Sequence, residues 1–117
     1  MNRFSVKTLH EGWELLLVDD ASHAVPLKTV SAIRAAGKPL DAHVPGDWPL
    51  DYVRHGLLPD PFYGDNYLRI RDYETHHVYY ACSFTWDRPV NDLVFLRFDG
   101  LDTIADVYLN GMLSGHA

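Results

Sequence analysis

Residues able to bind metals, move protons or act as nucleophiles are plentiful in this chain, but their spacing organises few of them. There are seven histidines among 117 residues. No His-x3-His or Cys-x2-Cys spacing occurs, so the ligand patterns of a compact zinc site are missing and no metal is expected. His76 and His77 are adjacent, and on a strand they would point to opposite faces. A carboxylate pair for general acid–base work is arithmetically possible. The only glutamates, Glu11, Glu14 and Glu74, fall on strand edges or loops with nothing tying two of them together, and the aspartates gather in turns, where they bond the local backbone. Gly46, Gly56 and Gly64 are too far apart for a phosphate loop. No serine stands in a nucleophile elbow. Cys82, the single cysteine, falls on the apolar parity of a predicted strand and reads as an inert core residue. No catalytic residue and no cofactor is therefore expected. A softer signal remains in Trp48, Phe62, Tyr63 and Tyr67, whose rings could stack on a sugar. The competing reading is that Trp48, at a helix start, packs on the core.

The elements that would position these residues are mostly strands. From Val78 to Trp86 one parity is large and apolar (Val78, Tyr80, Cys82, Phe84, Trp86) and the other small or polar, the period of a half-buried strand. Residues 87–92 form a turn-rich connector. Leu93 to Phe98 is apolar on both parities and reads as a central strand. Gly100-Leu101-Asp102 is a break. Ala105, Val107 and Leu109 then alternate with polar residues up to Asn110-Gly111, the strongest short hairpin signal, because both residues accept positive φ. A hairpin whose returning strand is this short is poorly specified alone, so the sequence predicts that Ala117 is not a domain end.

In the first half, alternation from Trp13 to Val18 predicts a strand, Asp19 to Ala24 a loop, and Leu27 to Ile33 a second short strand. Ala35 to Leu40 is a connector and Ala42-His43-Val44 a short extended piece. Trp48 to His55 reads as a two-turn helix. Asp47 is its side-chain N-cap, Pro49 lies in the first turn, Leu50, Val53 and Leu57 form its apolar stripe, and Gly56 takes the left-handed position that ends it. A further short turn is predicted over Tyr67 to Arg71. Several short strands with scraps of helix imply an all-β chain, an antiparallel β-sandwich with one or two short helices.

Bulk properties narrow the classes. The length allows one domain at most. A net charge of −6 argues against nucleic-acid and anionic-membrane partners, which call for a basic face, and suits a neutral partner such as a sugar. The first residues hold no apolar run of signal-peptide length and no window reaches the roughly 20 apolar residues of a membrane span, so a cytoplasmic location is expected.

Taken in order, Val44-Pro45-Gly46-Asp47, His55-Gly56-Leu57-Leu58-Pro59-Asp60-Pro61-Phe62-Tyr63-Gly64-Asp65-Asn66, the aromatic strand from Tyr79-Tyr80 to Phe84, and Phe98-Asp99-Gly100-Leu101-Asp102-Thr103-Ile104-Ala105-Asp106-Val107-Tyr108-Leu109-Asn110-Gly111 resemble the N-terminal sugar-binding-like domain of glycoside hydrolase family 2. The Pro-Asp-Pro-Phe-Tyr segment resembles its β-mannosidase branch. The resemblance implies a jelly-roll, galactose-binding-like sandwich over residues 1–117, incomplete here, at the front of a larger multidomain glycosidase. Such enzymes hydrolyse O-glycosidic bonds with retention, using two glutamates on a separate barrel. It implies that this chain is non-catalytic, that it buttresses the barrel in cis, and that the carbohydrate substrate is met through the parent enzyme. A loop of this domain reaches the barrel mouth in some members, which makes Asp65 and Asn66 candidate sugar-pocket contacts, their competing reading being N-caps of the next turn; Trp48 and Tyr63, from the aromatic cluster, are the other candidate contacts. Two other readings of the same residues stay open: a free-standing carbohydrate-binding module, and a β-sandwich interaction module that uses unpaired strand edges and binds no sugar.

Overall fold

The computed structural model describes residues 7–60, 62–73, 75–86, 96–98, 100–101 and 104–116. The described residues form five strands: β1 (Glu14–Asp19), β2 (Leu40–Asp41), β3 (His76–Ala81), β4 (Asp106–Leu109) and β5 (Met112–His116). Two α-helices, α1 (Val30–Ala36) and α2 (Trp48–Arg54), and two 3-10 turns, Asp20–Ser22 and Asn66–Tyr73, complete the described elements. The strands make an antiparallel three-stranded sheet of order β2-β1-β3 and an antiparallel hairpin, β4-β5. The antiparallel class and the sparse short helices agree with the sequence reading.

β1 is the central strand because it is apolar on both parities. Leu15 and Leu17 stand opposite Tyr80 and Val78, while Leu16 and Val18 stand opposite Tyr79 and His77. Both faces of the sheet are covered in part. On the Leu16 face lies α1, where Arg34 pairs with Glu14 and the side chain of Leu16 reaches within 2.8 Å of where a Cβ on Gly37 would stand. On the Leu15 face lies α2, whose Asp51 and Asp47 act on Tyr80. The core is small: among the described residues the buried apolar side chains are Leu15 (1% exposed), Ile33, Leu58 and Ala81. Trp13 fixes the entry to β1, its Nε1–H donating to Leu9 O at 2.8 Å while its own carbonyl accepts from Ala42 N–H at 3.0 Å.

The hairpin forms as its turn residues require. Asn110 and Gly111 take φ of 52° and 82°, the paired positive values of a type I′ turn, and a bulge between Val107 and Tyr108 shifts the register. A Cβ on Gly111 would stand 3.3 Å from Thr29 Cγ2, so the turn abuts the start of α1.

Several sequence expectations are corrected. Residues 27–33 are not a strand: helix α1 begins at Val30 because Thr29 Oγ1 accepts Ala32 N–H at 3.0 Å, and Ala32, Ala35 and Ala36 favour helix once that cap is made. β3 starts at His76 and stops at Ala81, so residues 82–86 are not strand and Cys82 lies beyond the sheet. Its two faces are also less unequal than the parity implied. Val78 and Tyr80 stay over a third exposed while Tyr79 and Ala81 are better covered, because α1 and the segment leading into it lie over the second face. The stripe of Leu50, Val53 and Leu57 is not the packing face of α2: Leu50 and Leu57 are exposed, and the buried residue is Asp51. Asp47 holds the N-cap position but makes no side-chain cap bond. The connector at 87–92 and residues 93–95 of the expected strand lie outside the described residues, and 96–98 are not strand.

Candidate functional site

The site is built around the chain from α2 to the 3-10 turn Asn66–Tyr73. Helix α2 ends in a Schellman motif. Gly56, at φ 74°, donates its N–H to Val53 O at 3.0 Å, and Leu57 N–H donates to Tyr52 O at 2.8 Å. Leu58 then turns inward and is buried. Asp60 sets the next turn, its Oδ1 accepting from Phe62 N–H at 3.0 Å and its carbonyl from Tyr63 N–H at 3.2 Å. Gly64, at φ 58°, reverses the path once more. Tyr63 O accepts from Asn66 N–H at 3.2 Å and Asp65 O from Leu68 N–H at 3.0 Å, which starts the 3-10 turn.

The two ends of this loop are clasped by rings. Trp48 packs edge-on against Tyr52 and Tyr73 with centroids 5.4 and 5.3 Å apart. Tyr52 and Tyr73 meet at 5.4 Å, and His76, at the start of β3, meets Tyr73 at 5.1 Å. Such edge-to-face pairs add roughly 0.5–1.5 kcal/mol each beyond area burial. Burial, with Tyr73 beside it, raises the Tyr52 hydroxyl above its ordinary range. With the base fixed, the tip projects outward: Phe62 is 87% exposed and Tyr63 77%.

Of the four candidate contacts, the fold brings Tyr63, Asp65 and Asn66 onto one short loop and sets Trp48 apart in the clasp at its base. Asp65 is exposed and Asn66 half-buried. Neither side chain hydrogen-bonds another described residue, so both keep their capacity for hydroxyl groups. Neither caps the turn that follows them.

Sequence reasoning missed Asp51. Its side chain is 3% exposed. Oδ1 accepts from His43 N–H at 3.0 Å and faces Arg54 Nη2 at 3.4 Å. Arg54 Nη2 also donates to Asp41 O at 2.6 Å, and His55 Nε2 meets the same carbonyl at 3.0 Å. These bonds tie the Val44-Pro45-Gly46 turn, where the Val44–Pro45 peptide is cis, to α2. Gly46 is required by close approach: a Cβ there would stand 2.5 Å from His43 O. Asp51 Oδ2 is buried without a partner among the described residues. Above it, burial first and then Asp51 and Asp47 push the Tyr80 hydroxyl up to about 12. An acid three residues after Pro-Gly-Asp-Trp was the available signal, but the surrounding leucines drew the helix-stripe reading instead.

The described glutamates and the cysteine are not gathered. Glu14 pairs with Arg34, Glu11 with His10, and Glu74 lies outside the described residues. Cys82 Sγ contacts Glu11 O at 3.5 Å, and burial raises its thiol while Lys7 opposes the rise. Among the described residues no group of three or more His, Cys, Asp or Glu side chains is placed to hold a metal ion, and no helix is long and apolar enough to cross a membrane.

The region that holds α1, β2, the clasped loop, β3 and the hairpin coincides with one family profile, described as glycosyl hydrolase 2 galactose-binding domain-like, which matches residues 28–117. The chain belongs to this family. As a galactose-binding-like domain of glycosyl hydrolase 2, it is similar to β-mannosidase B of Thermothelomyces thermophilus (37% identical over 93 residues, 74% of this chain and 11% of that protein). It is similar also to β-mannosidase of Rattus norvegicus (35% over 78 residues, 65% and 9%) and to mannosylglycoprotein endo-β-mannosidase of Lilium longiflorum (38% over 77 residues, 62% and 8%). The chain thus spans about a tenth of the length of these relatives. No solved structure matches it.

Proposed function

We propose that this galactose-binding-like chain serves as the non-catalytic N-terminal part of a retaining glycoside hydrolase resembling β-mannosidase. The observation that carries this reading is the family match over 28–117, joined to relatives that carry β-mannosidase names and of whose length the matched part covers only about a tenth. In this role the domain buttresses the catalytic barrel, and the two glutamates that cleave the glycosidic bond belong to that barrel. The chain alone does not hydrolyse glycosides. The clasped loop offers the sugar the open ring of Tyr63 and the side chains of Asp65 and Asn66, which bond no other described residue.

The test compares this chain with a longer protein that carries it. The chain alone leaves nitrophenyl β-mannoside uncleaved, whereas the longer protein cleaves it. In the longer protein, Asp65→Ala or Asn66→Ala lowers kcat/KM about tenfold or more, the loss expected for one hydrogen bond to a sugar hydroxyl. Hydrolysis by the chain alone would overturn the non-catalytic role. Unchanged kcat/KM in both variants would remove the loop from the pocket. The exposure of Phe62 and Tyr63 supports a second reading, a free-standing carbohydrate-binding module. That reading requires mannose or mannobiose to bind the chain by itself, with the affinity lost in Tyr63→Ala.

A further inference from the structure

The face of the sheet opposite the clasped loop carries a second cluster, and it is polar. The segment from the end of β1 to α1 crosses this face with little apolar cover of its own: Ala21, Ala24, Val25 and Pro26 are all exposed. It is held by side chains that exchange protons. Asp20 Oδ1 meets His77 Nε2 at 2.8 Å. The His77 ring stacks on His23, centroids 3.8 Å apart and planes 20° from parallel. His23 Nε2 is hydrogen-bonded to the Tyr79 hydroxyl, and that oxygen accepts Leu27 N–H at 3.1 Å. One backbone bond, Asp20 N–H to Thr75 O at 2.8 Å, anchors the segment independently of the rings.

We propose that this cluster is a proton-sensitive latch that pins the β1–α1 segment to the sheet at neutral pH and frees its Leu27 end in acid. The logic lies in charge. A cationic His77 is met by the Asp20 carboxylate, and a cation stacked on a neutral His23 ring is tolerated. A second proton, on His23, sets two like charges face to face across 3.8 Å. A protonated His23 also offers Nε2 only as a donor, so a Tyr79 hydroxyl that donated to it must turn its proton away, and its oxygen is then shared between the charged Nε2–H and Leu27 N–H. Imidazole is the side chain that makes this change between about pH 8 and 5. The other charged and titratable groups around the cluster are Asp19, whose Oδ1 caps Ala21 N–H, His76 on the opposite face of β3, and the Arg34–Glu14 pair further along the same face. Among the described carboxylates, Asp20 alone contacts an imidazole of the stack, and these residues neutralise one added charge and not two.

The experiment is amide hydrogen exchange of the chain at pH 7.5 and pH 5, corrected for the intrinsic pH dependence of exchange and read at Leu27 and Asp20. Leu27 protection falls about tenfold or more in acid while Asp20 protection persists. His23→Gln keeps an acceptor for Tyr79 without a titrating group, and His77→Gln removes the opposing charge; in each, Leu27 stays protected at pH 5. If one variant fails to fold, the other decides. Tyr79→Phe exposes Leu27 at both pH values. Equal Leu27 protection in the unmodified chain at the two pH values would overturn the latch. So would acid opening in the Gln variants as large as in the unmodified chain.

Discussion

Replacing Asp51 separates the charge of a buried carboxylate from its geometry. In Asp51→Ala, His43 N–H loses its acceptor, a bond to a charged group worth about 1.5–3 kcal/mol. The contact with Arg54 at 3.4 Å, in a half-exposed i,i+3 pair, adds roughly 0.3–0.5 kcal/mol. Against these stands the relief of Oδ2, which is buried without a partner, and the partial rehydration of an exposed His43. The net loss is about 2 kcal/mol, close to a 30-fold change in the folded-to-unfolded ratio. Asp51→Asn keeps an oxygen for His43 N–H at neutral strength and exchanges an unpaired oxygen for an unpaired NH2. Its loss is about 1 kcal/mol. Urea denaturation followed by tryptophan fluorescence measures both, with Trp48 in the helix that bears Asp51, and amide exchange at His43 reports the bond directly. A loss below about 0.5 kcal/mol for Asp51→Ala, or equal losses for the two variants, would refute the claim that this carboxylate ties the Pro-Gly turn to α2.

Three further outcomes follow from the same geometry. Gly46→Ala destabilises by more than about 2 kcal/mol because its Cβ meets a backbone carbonyl at 2.5 Å, whereas Gly37→Ala costs less, since the atom at 2.8 Å is the end of the Leu16 side chain; equal urea midpoints for the two variants would contradict this. Tyr80 is held up at about 12, above its ordinary value near 10, so the unfolded chain releases the proton first; stability is intact below about pH 10 and declines as pH rises towards 12. Full burial would make this about 2.7 kcal/mol, which solvent screening at 37% exposure reduces to about 1 kcal/mol, and Tyr80→Phe should abolish that part of the alkaline loss in melts taken from pH 9 to 12. Burial raises the Cys82 thiol and Lys7 partly lowers it, so iodoacetamide at pH 8 should modify Cys82 several-fold more slowly than a free thiol, and more slowly again in Lys7→Ala.

The legible parts of this chain are those fixed by local rules. Asn110-Gly111 specified its hairpin through φ, Gly56 ended α2 where expected, and the apolar run from Trp13 to Val18 located β1. What was missed depended on specific side-chain contacts that periodicity does not encode. Thr29 and Val30 read as strand formers until the Thr29 hydroxyl closes on Ala32, and α1 is then kept by Ile33 against the sheet. Counting apolar residues could not reveal that α2 turns an aspartate inward, because the partner of Asp51 is a backbone N–H eight residues upstream. For the loop, sequence placed Tyr63, Asp65 and Asn66 together but could not separate them from Trp48, since the rings that hold Trp48 come from Tyr52 and from Tyr73, at the end of the following turn.

A common physical reason underlies these misses. With so few apolar side chains buried among the described residues, hydrophobic patterning has little to act on, and the position of each connecting segment is decided by a specific polar or aromatic tie. Asp51 holds the Pro-Gly turn, the ring clasp holds the loop base, and Tyr79 with the two histidines holds the entry to α1. Ties of this kind are directional and chemically distinct, so each can be released without unfolding the sheet. The clasp is aromatic and indifferent to pH over the imidazole range apart from His76 at its edge, whereas the tie on the opposite face is built from imidazoles. Acid should therefore loosen the β1–α1 segment while leaving the presentation of Tyr63, Asp65 and Asn66 intact.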